Sequence, residues 1–258
     1  MKRTLKKFFR YFGFDVVKGY RDSISSDKIR LYKTKTGNYF LPAEAYSDVI
    51  AIAIRENKIF DEPILDIAKK CIKEGTTVLD VGSNFGQMAV LMSKMVGKDG
   101  VVHAFEADDF VFSLLEKNCK ENAANIIPHY TAVHDISGKK LFFPKQDFKV
   151  SGTYGSYGID YAKQNGREVV SSTIDELNIQ GVVSFIKIDI QGGDLFALRG
   201  AMNTIIKNQC PVIFEYEYAF EDKLQLRFQE YVDFVQSINY KFEKVISGHN
   251  FLIVPNTN

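Results

Sequence analysis

Cysteine is scarce in this chain: three among 258 residues, at Cys71, Cys119 and Cys210, with no CxxC pair and no histidine at metal-finger spacing. So few and so scattered, they argue against a disulfide framework and for a reducing compartment, which makes the cytoplasm the expected location. No apolar run approaches the roughly 18 residues that a membrane-spanning helix needs. Net charge is nearly absent too. At +1 the chain offers no global basis for binding nucleic acid or a strongly acidic substrate. Internal repeats and long linkers are missing. What remains is ordinary, 45% hydrophobic and 25% charged, and sufficient for one large domain with a sizeable core.

Charge is uneven at one place. The first ten residues carry Lys2, Arg3, Lys6, Lys7 and Arg10 around Leu5, Phe8 and Phe9, with no acid before Asp15. No long apolar stretch or small-residue cleavage site follows, so this is not a secretory signal. On a helix the basic and aromatic residues would partly separate, giving a candidate membrane-surface or partner-binding segment at the inner face of a membrane. The alternative is a solvated terminus. Ile29 to Lys33 and Tyr39 to Leu41 flank a Gly37-Asn38 turn and predict a hairpin. Helical spacing follows over Ser47 to Arg55 and Glu62 to Lys73.

From Thr76 onward strands and helices alternate, which predicts a doubly wound α/β sheet covered on both faces. The expected strands are Thr76 to Val81, Val101 to Phe105, Ile126 to Val133, Val182 to Ile188 and Val212 to Phe214. Intervening helices are expected over Phe110 to Asn122, Leu195 to Lys207 and Lys223 to Ile238, and Tyr240 to Ile246 with Asn250 to Val254 closes the chain as a strand pair. Two further strands, Lys139 to Phe143 and Glu168 to Ser171, flank a Gly/Ser/Tyr-rich loop from Ser151 to Tyr161. Residues 1–74 thus read as a preamble packed on a core domain of residues 75–258, together one globular unit.

The chemistry-bearing residues gather at strand ends. Asp80 closes the first strand, the turn Gly82-Ser83-Asn84-Phe85-Gly86 follows, and a helix begins. Strand, glycine turn, helix is the arrangement in which backbone N–H groups meet a ligand closely. A dinucleotide turn wants Gly-x-Gly-x-x-Gly, but Asn84 stands where the second glycine is expected and Gly86 comes one residue early. Asp80 would sit badly against a pyrophosphate and well against an amino acid's ammonium group. The asymmetry favours S-adenosylmethionine over NAD. Glu106, at the end of the second strand, is placed to accept two ribose hydroxyls in charge-assisted bonds, or else is a solvated strand-end acid.

These residues, with Ala104-Phe105-Glu106, Ile186-Lys187-Ile188-Asp189-Ile190-Gln191-Gly192-Gly193-Asp194 and Leu198-Arg199-Gly200-Ala201, closely resemble the FkbM-like family of S-adenosylmethionine-dependent methyltransferases. The resemblance runs from about Gly75 to Pro255, with weaker similarity at Asp61-Glu62-Pro63. It implies a Rossmann-like class I methyltransferase fold, with a mostly parallel seven-stranded sheet and an antiparallel C-terminal strand pair. Gly82 to Gly86, with Ser83 and Asn84, would wrap the methionine part of the cofactor, with Asp80 and Glu62 on the same side. Glu106 would take the ribose, and Ala107 with the His134-Asp135 turn would border the adenine. Asp189 would lie beside the sulfonium and the acceptor. Ser83, Ala107, Gln191 and Asp194 depart from the family's usual alanine, proline, glutamate and glutamate, and Gln191 removes a charge from the active edge.

Apart from the resemblance, Lys187 and Asp189 are i and i+2 on a strand and share a face. They form either a structural ion pair or a base whose charge state Lys187 sets. Glu215-Tyr216-Glu217 supplies further acids, and Glu215 would neighbour Asp189 if the fourth and fifth strands both flank the first. Two acids there could bind a divalent metal with His249 or Asn250, although no dedicated ligand cluster is visible. His103 and His129, in apolar strands, read as structural; His134 and His249, near sheet ends, are the better functional candidates. The expected activity is O-methyl transfer from S-adenosylmethionine to a hydroxyl of a glycan, polysaccharide precursor or similar polar metabolite, the Ser151 to Tyr161 loop holding the polyol or else serving as a plain surface connection. A non-catalytic cofactor-binding descendant and a nicotinamide-dependent oxidoreductase are the alternatives. Nothing in the pattern sets an oligomeric state.

Overall fold

The computed structural model describes residues 29–43, 45–144, 153–155, 157–161, 166–246 and 248–256. The basic segment from Lys2 to Arg10 and residues Ser151, Gly152 and Ser156 of the polar loop lie outside them. In chain order the strands are β1 Ile29–Lys33, β2 Asn38–Pro42, β3 Thr77–Val81, β4 Val101–Glu106, β5 Ile126–Tyr130, β6 Ala132–Val133, β7 Lys140–Phe143, β8 Arg167–Ser172, β9 Val183–Ile188, β10 Val212–Glu215, β11 Tyr240–Ile246 and β12 Asn250–Pro255. The α-helices are α1 Val49–Arg55, α2 Glu62–Cys71, α3 Gln87–Val96, α4 Asp109–Glu121, α5 Asp194–Gly200, α6 Met202–Asn208, α7 Tyr218–Glu221 and α8 Phe228–Ser237. None is long and apolar enough to cross a membrane.

The main sheet has seven strands in the order β11-β12-β10-β9-β3-β4-β5. Every neighbouring pair from β10 to β5 is parallel, and β12 runs antiparallel between β10 and β11. This is the expected doubly wound class. β3 and β9 lie at its centre and every residue in them is buried, as expected for strands covered on both faces. One apolar cluster, built on Leu79, Ile186, Leu198, Phe214 and Tyr231, fills one side. A second, built on Val78, Met92, Val102, Phe185 and Ile213, fills the other.

Strand order reverses beside β3: β4 and β5 extend to one side, β9 and β10 to the other. That places a ligand crevice outside the C-terminal ends of β3, β4 and β9. The fifth expected strand, β10, pairs with β9 and not with β3, so the fourth and fifth strands do not both flank the first. Glu215 reaches Asp189 across one strand spacing all the same.

Three expected elements are interrupted. The strand from Ile126 breaks at Thr131, whose hydroxyl donates to the Val170 carbonyl. The chain then leaves the main sheet, and β6 pairs with β8 in a small sheet ordered β6-β8-β7. The helix expected over Leu195 to Lys207 divides at Ala201 into α5 and α6. The one expected from Lys223 begins only at Phe228, because Gln225 takes a left-handed φ of 57° after a 3-10 turn.

The preamble is bound to the core through side-chain amides. Asn118 of α4 accepts from the Phe40 N–H at 2.6 Å and donates to the Phe85 carbonyl at 2.8 Å, joining the β1–β2 hairpin to the glycine turn. Gln87, the first residue of α3, accepts from Phe60 N–H and donates to the Lys58 carbonyl. Asp48, fully buried, caps α1 by accepting from Ala51 N–H at 2.7 Å and also accepts from Tyr154 N–H at 2.6 Å. One carboxylate therefore starts a helix and holds the polar loop against it.

Candidate functional site

A cavity of about 970 Å³ opens at the crevice. Its floor is the C-terminal edge of β3, β4, β9 and β10, represented by Val81, Glu106, Asp189 and Glu215; Val49, Ile50, Phe60 and Asp61 of the preamble and Thr153, Tyr154, Gly155 and Tyr157 of the polar loop form its walls. Adjacent strands lie about 4.8 Å apart. Glu106 and Asp189, two strands apart, therefore stand roughly 10 Å from each other.

The glycine turn is shaped by close approach. A Cβ on Gly82, at φ 82°, would lie 1.8 Å from the Asp189 carbonyl oxygen, so the turn presses directly onto the end of β9. Asn84 is also left-handed, at φ 51°. Asparagine tolerates this conformation better than other side-chain-bearing residues, and its Oδ1 accepts from Phe85 N–H at 2.8 Å. It fills the conformational place of the missing glycine while leaving its own N–H pointed at Glu106.

Glu106 accepts from three backbone N–H groups: Asn84 at 3.0 Å on Oε2, and Ala107 and Asp108, each at 2.9 Å, on Oε1. Burial first, and then Asp108, push its carboxyl up to about 7 against those three donors. The carboxylate lines the cavity and ties the glycine turn to the end of β4. Its Oε2 retains an acceptor site for a ligand hydroxyl, since a carboxylate offers about four and the three N–H groups fill the others.

Asp80 is fully buried and does not line the cavity. Its counter-charge is Lys187, whose Nζ lies 3.6 Å from Asp80 Oδ1, 3.3 Å from Asp189 Oδ2 and 3.4 Å from the Gly82 carbonyl. Burial works against the lysine's charge, yet Asp189, Asp80 and Asp61 raise its pKa above the ordinary value. Asp80 is pushed up by burial and held down by Lys187. The sequence places an ammonium group beside Asp80; in the structure the ammonium is the chain's own.

The acid that does face the cavity on this side is Asp61. Glu62, its neighbour, is exposed as the first residue of α2 and lies off the cavity. Asp61 is the left-handed cap before it, at φ 54°, and burial first and Asp189 second push its carboxyl up to about 6, against Lys187. Within Asp-Glu-Pro the cap turns inward and the first helical residue outward, a distinction composition does not carry.

At the β9–β10 edge Gln191 donates through Nε2 to Asp189 Oδ1 at 3.2 Å and to Glu215 Oε2 at 2.9 Å. The departure at Gln191 thus supplies the donor that lets two acids stand side by side. Glu215 is raised well above the usual carboxylate range, first by burial and then by Asp189 and Asp194. Glu217 and His249 join the same wall, and Glu217 is raised by burial against the pull of His249. β12 begins opposite Glu215, at Asn250, and His249 O accepts from Tyr216 N–H, which brings the last hairpin turn to the site. Among the described residues no group of three or more His, Cys, Asp or Glu is arranged to hold a metal ion.

A pH effect follows from Glu215. A carboxyl whose folded pKa exceeds its unfolded one binds its proton more tightly when folded. Its contribution is complete below the unfolded value of about 4.3 and is lost as pH rises toward the folded value. Glu215→Gln should therefore raise the thermal midpoint at pH 8 while leaving it nearly unchanged at pH 4. A lower midpoint at pH 8 would contradict this.

The remaining expected residues divide. Ala107 lines the cavity, whereas His134 and Asp135 do not. His134 is 1% exposed, stacks 4.7 Å from Phe196 and is lowered by burial against Asp135. The residues that border the cavity beside Ala107 are Thr131, Ala132, Val133 and Phe143. Ser83 and Gly86 belong to the turn but do not line the cavity, Ser83 donating to the Asp80 carbonyl at 2.7 Å.

With this geometry established, comparison with known proteins decides the family. The model of the methyltransferase FkbM domain matches residues 80–242. The chain belongs to the FkbM methyltransferase family. That family is one of S-adenosylmethionine-dependent methyltransferases. Among solved structures, the methyltransferase FkbM from Methylobacillus flagellatus is 17% identical with a TM-score of 0.47, over 70% of this chain and 43% of that one. An S-adenosylmethionine-dependent O-methyltransferase from Thermotoga maritima is 12% identical with a TM-score of 0.45, over 91% and 88%. Aeropyrum pernix fibrillarin with bound S-adenosyl-L-methionine is 13% identical with a TM-score of 0.42, over 89% and 84%. The present chain therefore covers less than half the length of the Methylobacillus protein. Comparison with curated proteins finds no match.

Three features of this FkbM-family chain fit the cofactor. The turn is packed so that Gly82 has no room for a side chain, Glu106 lines the cavity where it would meet a ribose, and Asp61 lines it where it would meet an ammonium group. Together they span a cavity large enough for a nucleoside joined to an amino acid.

Proposed function

We propose that the protein is an S-adenosylmethionine-dependent O-methyltransferase acting on a hydroxyl of a sugar, polysaccharide precursor or similar polar metabolite. The observation that carries this reading is that Glu106 and the Asp189–Gln191–Glu215 group line the same cavity, about two strand spacings apart. The first suits a ribose. The second suits an acceptor that must be oriented and lose a proton.

S-adenosylmethionine, when bound, supplies a methyl group on a sulfonium. Glu106, Asp61 and the backbone of the glycine turn bind and orient it. Asp189 and Glu215 accept the hydrogen bond of the acceptor hydroxyl. Gln191 keeps the two carboxyls side by side, and Lys187 holds Asp189 from the opposite side at 3.3 Å. Glu215 takes up a proton more readily than a lone carboxylate, because burial first and then the neighbouring Asp189 charge raise its affinity. Alignment is worth about 7–11 kcal/mol in favourable cases, and proton uptake adds roughly 10²–10⁴-fold. Thr153 and Tyr157, on the polar loop, line the same wall.

The test is transfer of labelled methyl from S-adenosylmethionine into fractionated cell material. Label is expected in glycan or small polar fractions, released by acid hydrolysis as O-methyl sugar. Label confined to protein or nucleic acid would overturn the reading.

A further inference from the structure

The role of Arg167 is not explained by the binding edge itself. It opens β8 opposite Phe143, the last residue of β7. Its guanidinium pairs with both Asp108 and Asp109, the acids that open α4, and lies 5.6 Å above the centre of the Phe143 ring. Asp108 caps α4 by accepting from Val111 N–H at 2.8 Å, and its own N–H donates to Glu106 at 2.9 Å. Glu106, Asp108, Arg167 and Phe143 therefore form one continuous line of contacts. Phe143 is 5% exposed and lines the cavity, as does Ala107 beside Asp108. At Gly166, with φ 151°, a Cβ would lie 2.2 Å from the Phe143 carbonyl oxygen, so the two strand ends are pressed together.

We infer that Arg167 is a cofactor-positioning residue, which locks the β7–β8 pair onto the start of α4 and so fixes the Phe143 ring at the purine end of the cavity, level with Glu106. The inference rests on the reading of Glu106 as the ribose acid. Chemistry singles out arginine: its planar fork can engage two carboxylates while its face lies on an aromatic ring, and a lysine can do neither together. The small sheet has left the main one at Thr131, so it needs an attachment of its own to hold a ring in register with β4. Arg167 supplies that attachment. Fixing a contact before the ligand arrives strengthens binding by removing the cost of ordering it.

Calorimetry with S-adenosylhomocysteine tests the inference. Arg167→Ala should weaken binding about tenfold or more, with Arg167→Lys intermediate. The thermal midpoint should fall as well, since Asp108 is buried and loses its counter-charge while only Asp109 is half-exposed; affinity is therefore compared at a temperature well below the midpoint of both proteins. In a Phe143→Leu background, Arg167→Ala should have little further effect, because the ring through which it acts is gone. Should Arg167→Ala fail to fold, Asp109→Asn removes one partner only and should weaken binding by about two- to threefold. Unchanged affinity in the variant that folds, or a full additive loss in the Phe143→Leu background, overturns the inference. If the unaltered protein does not bind S-adenosylhomocysteine, the cofactor reading itself fails, which is a separate result.

Discussion

Glu106→Ala is expected to lower affinity for S-adenosylhomocysteine by at least roughly 10–10²-fold. A ribose hydroxyl on the open acceptor site of Oε2 makes a hydrogen bond to a charged group, which contributes about 1.5–3 kcal/mol. The same substitution deprives the Asn84, Ala107 and Asp108 N–H groups of their acceptor, so the glycine turn loses its tether as well. Glu106→Gln keeps an acceptor but replaces one oxygen with a donor facing backbone N–H groups, and should fall between. The pH dependence has a defined sign. Ribose hydroxyls donate to the ionised carboxylate, and the free protein's Glu106 lies at about 7. Binding therefore releases a proton below pH 7, and affinity should rise between pH 6 and pH 8. Titrations in two buffers of different ionisation enthalpy would measure that proton, and an affinity that falls with pH would contradict the assignment.

Lys187→Met is expected to produce the largest loss of stability, about 3–5 kcal/mol, because it leaves Asp80 fully buried without its counter-charge. Asp80→Asn should cost less, since Lys187 keeps Asp189 at 3.3 Å and the Gly82 carbonyl at 3.4 Å. The double variant Asp80→Asn/Lys187→Met should recover much of the lysine's loss, because the charge left stranded is then gone. Urea midpoints followed by circular dichroism would read all three. Losses that simply add would mean that Asp80 and Lys187 are independent, and the account of the β3–β9 junction would be wrong.

The parallel sheet was legible because its central strands carry apolar, β-branched runs that only a doubly covered position accommodates. Elements end less legibly. The step at Thr131 follows from a hydroxyl bonding to a strand distant in sequence, and no local pattern announces it. The break before α8 follows from one left-handed residue, Gln225. Glu106 could be placed at the crevice from its position at a strand end, since strand order alone brings it there. Asp80 could not. Its position at the end of β3 is the same kind of signal, but the lysine that neutralises it sits on β9, paired directly opposite. Residues at the same kind of position can therefore face a ligand or another side chain, and the neighbouring strand decides which. Gln191 shows the converse. Its amide appears as a lost charge in the sequence and as a bridge between two acids once β10 is set beside β9.

The central claim is that the cavity at the ends of β3, β4 and β9 holds the adenosyl cofactor with Glu106 on its ribose. Calorimetric titration of the unaltered protein with S-adenosylhomocysteine, with NADH as the competing candidate, tests it most directly. One molecule of S-adenosylhomocysteine should bind per chain, at least about tenfold more weakly in Glu106→Ala, and NADH should not bind. Binding of NADH in its place, or S-adenosylhomocysteine binding that survives Glu106→Ala unchanged, would contradict it.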